Sequence, residues 1–97
     1  MAQVLSSRQF RNIAGAATTV VSRGAGRLYA IVINQAVLSS VTTVYDNTAA
    51  SGTIIATITN PATLLQTTAN LDYQGLIFNT GLTIVTSAAD NITVIYS

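Results

Sequence analysis

From Ala17 onward the chain runs in short stretches of alternating apolar and polar residues, cut by Asn, Asp, Gly and Ser. A period of two marks a strand with one face buried. These short runs, alternating most cleanly in Val41–Asp46 and Thr53–Thr59, predict strands over Ala17–Ser22, Arg27–Gln35, Val41–Asp46, Thr53–Thr59, Leu71–Phe78, Leu82–Thr86 and Ile92–Tyr96. Most are rich in Val, Ile and Thr, which suit a pleated, half-buried surface. The clearest piece is Thr42–Thr59, two strands around the bend Asp46–Gly52, too long for a two-residue turn. Arg23–Gly26 reads as a hairpin turn, and Asn79–Gly81 and Ser87–Asn91 as further turns. Asn60-Pro61 ends a strand, because proline has no N–H for a ladder. Thr63–Asn70 fits either a short edge strand or a looped crossover. No stretch carries a helical period. Seven or eight short strands at this spacing predict an all-β protein, an antiparallel β-sandwich of jelly-roll-like or Greek-key type.

Within Arg27–Gln35, alternation places Tyr29, Ile31 and Ile33 on one face and Leu28, Ala30 and Val32 on the other. Both faces are apolar, so the one outside the core calls for cover by a neighbouring subunit, a loop or the N-terminal segment. Gly75 predicts a bulge or a close backbone approach. Met1–Gly15 shows no alternation, and a short helical turn around Ser7–Ile13 fits its spacing. Phe10 and Ile13 would each forgo up to roughly 1.5–3 kcal/mol if left in water. The expectation is an N-terminal arm over residues 1–15, ordered against a neighbour or the sheet edge, ahead of a sandwich over residues 16–97.

Composition narrows the function classes. Ninety-seven residues make one domain, and only 7% are charged. Thr, Ser and Asn supply the polarity instead. So few charges give weak protection against association, which points to a homo-oligomer. No run approaches the ~18 apolar residues of a membrane helix, and the start lacks a signal-peptide stretch. The four cations, Arg8, Arg11, Arg23 and Arg27, all precede the three anions, Asp46, Asp72 and Asp90. This sorting suggests a basic segment that docks on an acidic partner surface. Four arginines without interleaved aromatics do not make a nucleic-acid footprint. The candidate partner-binding residues are Arg8, Phe10, Arg11, Ile13, Arg23, Arg27 and Tyr29.

Candidate chemistry is thin. Histidine, cysteine, lysine and glutamate are absent, which removes the usual general bases, nucleophiles and transition-metal ligands. Asp46 and Asp90 each precede an Asn and read as turn caps, with an oxygen-ligated Ca²⁺ site as the alternative. The expectation is no enzyme, no catalytic residue, no cofactor and no resident metal. Asn91-Ile92-Thr93 matches a glycosylation sequon at the start of a strand and reads as accidental. Arg23–Gly26 lacks the spacing and the lysine of a phosphate loop. Tyr29, Tyr45, Tyr73 and Tyr96 suit either a sugar-binding groove or core and interface filling.

Three segments carry a resemblance: Leu28–Asn34 (LYAIVIN), Thr43–Ile58 (TVYDNTAASGTIIATI) and Gly75–Ser97 (GLIFNTGLTIVTSAADNITVIYS). They resemble a group of small virion-associated proteins of tailed bacteriophages that share this strand, loop and C-terminal layout. The match runs over Arg27–Ser97 and leaves the first 26 residues outside it. It implies a non-enzymatic structural protein of the particle. The expected function is a capsid decoration (cement) protein, most simply a trimer, that binds the major capsid protein and resides on the virion. A neck or tail subunit, or a small carbohydrate-binding attachment module, are the alternatives.

Overall fold

The computed structural model describes residues 8–61, 63 and 68–97. Eight strands follow one another: β1 (Gln9–Ala14), β2 (Ala17–Ser22), β3 (Gly26–Gln35), β4 (Val41–Asp46), β5 (Thr53–Thr59), β6 (Ala69–Phe78), β7 (Leu82–Thr86) and β8 (Asn91–Tyr96). They form two four-stranded sheets in the orders β1-β8-β3-β6 and β2-β7-β4-β5, called sheet A and sheet B below. Every pairing is antiparallel. The pairs β4·β5, β3·β6, β2·β7 and β1·β8 are nested, as if one long hairpin had been folded and wrapped around a common core. That is the winding of a jelly roll. Among the described residues only β4 and β5 are sequence neighbours within one sheet, so the Thr42–Thr59 unit is the one true hairpin there. Arg23–Gly26, expected as a hairpin turn, instead carries the chain from sheet B to sheet A.

The core lies between the sheets. Sheet A contributes Ile13, Leu28, Ile31, Ile33, Phe78, Ile92 and Val94, and sheet B contributes Val21, Val44, Leu82 and Ile84. Tyr73 and Tyr96 pack against this cluster, so two of the four tyrosines fill the interior margin. Gly26 sits where β3 passes closest to the end of β8. A Cβ there would meet the Ser97 carbonyl oxygen and stand 2.8 Å from the Phe78 ring. The closeness follows from reciprocal bonds, in which Arg27 N–H donates to Ser97 O at 3.1 Å and Ser97 N–H donates to Arg27 O at 2.9 Å.

Two expectations are corrected here. Gln9–Ala14 is not a helical turn but the edge strand β1, paired with β8 from Gln9↔Tyr96 to Ala14↔Asn91, so this part of the expected arm lies along the sheet edge. Alternation was invisible because Ile13 is the one buried residue of the six. Ile13 is 4% exposed and belongs to the core, so it is unavailable to a partner. The rest of the segment, residues 1–7, lies outside the described residues, as does most of the uncertain stretch Thr63–Asn70.

The second correction concerns the faces of β3. Register breaks between Leu28 and Ala30 against both of its neighbours. Tyr29 is therefore an extra residue that inverts the alternation. Leu28 shares the core face with Ile31 and Ile33, while Tyr29 joins Ala30 and Val32 on the outer face.

The two turn-like aspartates act at a distance rather than on their own turns. Asp90 is 2% exposed. Ser40 Oγ donates to its two carboxylate oxygens at 2.9 and 2.7 Å, Val37 N–H donates at 3.1 Å, and Asn60 Nδ2 donates at 3.2 Å. Asn60 also donates to Ser40 Oγ at 2.8 Å and to Val37 O at 3.0 Å. One carboxylate thus clasps the β3–β4 connection, the residue after β5, and the β7–β8 turn. Protein donors surround it, an arrangement opposed to the Ca²⁺ alternative.

Asp46 makes the corresponding clasp at the turn after β6. It accepts from the N–H groups of Asn79 (3.0 Å), Thr80 (2.8 Å) and Gly81 (3.3 Å). These bonds, led by that from Asn79, hold its carboxyl below the usual aspartate range. A folded-state value below the unfolded one means stability that is present above about pH 4 and is lost as pH falls through the folded value. Asp46→Asn should therefore lower stability at neutral pH by about 1 kcal/mol, a figure reduced because the group is near solvent. It should also flatten the stability loss on acidification. Denaturant titrations at several pH values check both; an unchanged acid limb would remove Asp46 from that role.

Candidate functional site

The outer face of sheet A gathers the unusual surface features. Opposed residues share a face, so Phe10, Ile95, Ala30 and Asp72 form one row across β1, β8, β3 and β6. The next row is Asn12, Thr93, Val32 and Asn70. Toward the Asn91 end the polar groups satisfy one another. Asn12 Nδ2 donates to Asn91 Oδ1 at 2.8 Å, and Asn34 Nδ2 donates to Asn91 Oδ1 at 3.0 Å and to Thr93 Oγ1 at 2.9 Å.

The other end is irregular. Leu28 pairs with Leu76 but Ala30 pairs with Asp72, so three residues of β6, Tyr73, Gln74 and Gly75, stand against Tyr29 alone. Gln74 and Gly75 take φ of 56° and 76°. Glycine adopts this left-handed region freely, whereas a residue with a Cβ pays about 1–2 kcal/mol for it. Asp72 Oδ1 accepts from Gln74 N–H at 2.8 Å and holds the kink from within. The sequence signal for a bulge at Gly75 is therefore realised, with a wider disruption than one residue.

The bulge opens a shallow concavity of about 360 Å³ on this face. It is lined by Asn70, Asp72 and Gln74 of β6, Tyr29 and Ala30 of β3, Ile95 of β8, and Arg8 just before β1. The Arg8 guanidinium carbon lies 4.0 Å from the centre of the Tyr29 ring, within cation–π range. The Tyr29 phenol is held below the ordinary tyrosine value, chiefly by a hydrogen bond from Ser97, then by Arg8 and by the charge of Arg27, with burial opposing. Arg27 Nη1 donates to Gly75 O at 3.3 Å and so braces the bulge from the β3 side.

The seven residues marked by sequence thus separate. Arg8, Phe10, Arg27 and Tyr29 belong to the outer face of sheet A or its rim. Arg11 pairs with Val94 on the core-facing side of β1, yet is exposed at the open edge. An inward-pointing charge on an edge strand is a known guard against unwanted strand pairing. Arg23 is exposed in the turn between β2 and β3, and Ile13 is in the core. Sequence reasoning missed Asn70, Asp72 and Gln74, because only the register across the bulge brings them opposite Tyr29. Among the described residues, no three His, Cys, Asp or Glu side chains come together as a metal site would require.

The chain matches no protein-family model, and no curated protein or solved structure shows a significant match to it.

Proposed function

We propose that this protein is a structural subunit of a tailed-phage particle, a capsid decoration protein that docks on the head shell and acts by bridging shell subunits. The observation that carries the reading is Phe10. It is 73% exposed on edge strand β1, two residues after Arg8 and directly before Arg11, which lies on the opposite face of the strand. An aromatic flanked by arginines has the composition of an interface anchor. β1 is also an end strand of its sheet, so among the described residues its outer backbone edge is unpaired. The resemblance over Arg27–Ser97 and the low charge support the same reading. Jelly rolls host viral capsid domains, which is an analogy at the level of fold. The proposed partner is the major capsid protein, and the protein's own state is a homo-oligomer, a trimer, so that modest contacts at several shell subunits add through avidity.

Binding of purified protein to particles that lack it tests the proposal. Phe10→Ser should weaken attachment about tenfold or more while leaving the fold intact, since the ring buries little in the subunit. Light scattering on the same preparation should give an oligomer's mass. Decoration predicts a copy number that scales with the shell subunits. A few copies per particle would move the protein to the neck or tail, and absence from purified virions would end the reading.

A further inference from the structure

We infer that the concavity over Ala30 and Ile95 is a binding site for a neutral saccharide unit, adjoining the β1 edge proposed to hold the particle. Its shape originates in the bulge. Three β6 residues against one β3 residue displace the strand, and Gln74 is kept in the left-handed region although it carries a side chain. Backbone held in sparsely populated regions clusters at ligand sites, because the surrounding structure must maintain it for a purpose other than stability. Here the kink brings the Gln74 amide to the rim of a recess of about 360 Å³. That lies at the small end of ordinary ligand sites and suits one sugar ring.

The chemistry of the walls selects the ligand class. One wall offers the Asn70 and Gln74 amides, each with donors and an acceptor, and the Asp72 carboxylate as acceptor. Asp72 commits one oxygen to Gln74 N–H, and among the described residues its other oxygen has no partner. Arg8 adds guanidinium donors, while the Tyr29 hydroxyl is already engaged with Ser97 and Arg8. An anion would be opposed by Asp72, and a cation by Arg8. An apolar ligand would strand the Asn70 and Gln74 amides and the second Asp72 oxygen, each costly to desolvate without a partner. A sugar fits all of these constraints. Each hydroxyl donates and accepts at once, the ring is uncharged, and its C–H face can rest on Ile95 and Ala30. Contrast with the neighbouring end of the face sharpens the assignment. There Asn12, Asn34, Asn91 and Thr93 already satisfy one another. In the concavity, no such bond joins the Asn70 and Gln74 side-chain amides among the described residues.

The test uses the full-length protein, amide-detected NMR and a panel of methyl glycosides: glucoside, galactoside, mannoside, rhamnoside and N-acetylglucosaminide. At least one glycoside should shift the signals of Asn70, Asp72 and Gln74, including the side-chain amides, with affinity on the order of millimolar, as expected of a shallow site. Gln74→Gly suits the backbone angle at that position and so keeps the fold; it should weaken binding tenfold or more. Asp72→Ala should do the same. Both variants lie on β6, away from β1, and should keep particle attachment, so failure of one proposal is distinguishable from failure of the other. The inference is overturned if no glycoside shifts these signals. It is equally overturned if inorganic phosphate shifts them more than any glycoside does, or if both variants bind as tightly as the parent.

Discussion

Replacing Asp90 with alanine should destabilise the protein by about 3 kcal/mol or more, one of the largest effects available to a single substitution. The carboxylate is 2% exposed and accepts from Ser40, Val37 and Asn60. A hydrogen bond to a charged group is worth about 1.5–3 kcal/mol, and donors left buried without an acceptor add their desolvation cost. Part of the loss is recovered, because Asn60 keeps its bond to Val37 O and the Ser40 hydroxyl can turn. The figure measures truncation and not the net worth of the clasp, since burying a carboxylate is itself expensive. Asp90→Asn should cost less, about 1–2 kcal/mol, because it preserves shape but turns one acceptor into a donor facing donors. In a domain of this size 3 kcal/mol corresponds to a fall in melting temperature of roughly 12 °C or more. Calorimetry on the three proteins checks the order. If Asp90→Ala melts within a few degrees of the parent, the clasp is incidental.

Gly26→Ala should be comparably damaging, for steric instead of polar reasons. The new methyl would be driven onto the Ser97 carbonyl oxygen and toward Phe78, which is fully buried. Phe78 cannot retreat without disturbing the core packed around it. The backbone of Ser97 cannot move without losing its reciprocal bonds to Arg27. Overpacking of this kind costs about 1–3 kcal/mol, and the upper end applies where backbone is the obstacle. Urea titration should show a lower midpoint at unchanged slope, the mark of lost stability without a change in the surface exposed. Gly24→Ala, two residues earlier in the same turn, is the control. A Cβ there meets nothing within 4 Å, so its midpoint should barely move. Equal losses at the two glycines would show that turn conformation, and not contact with Ser97, sets the cost.

What the sequence disclosed and what it withheld have separate physical origins. Strands β2 to β8 were legible because each is a short run of β-forming residues between turn-forming neighbours. Their limits in the structure fall within two residues of the expected ones. β1 was hidden because an edge strand at the rim of a sandwich has only Ile13 to bury. The orientation of Tyr29 was hidden because a bulge shifts phase without leaving a mark on β3 itself. Its signal, Gly75, stands more than forty residues away on the partner strand. The concavity inherits that difficulty, since Asn70, Asp72 and Gln74 acquire meaning only once the register across the bulge is known. Asp90 was read as a turn residue because its neighbours are small and polar. Nothing local announces that Ser40 and Asn60 will reach it.

The nested winding also bears on how the chain finds its shape. Almost every strand pair joins residues far apart in sequence, which taken alone predicts a slow search. The only inexpensive first step is β4 against β5, closed by a six-residue bend. Once that pair exists, β3 and β6 are brought to adjacent ends of it, and pairing them closes only the short connections instead of the whole intervening chain. β2 with β7 and then β1 with β8 follow by the same arithmetic, each closure shortening the next. A topology whose contacts look almost wholly non-local can therefore assemble like a zipper that starts at its midpoint, with the two ends of the chain the last to meet.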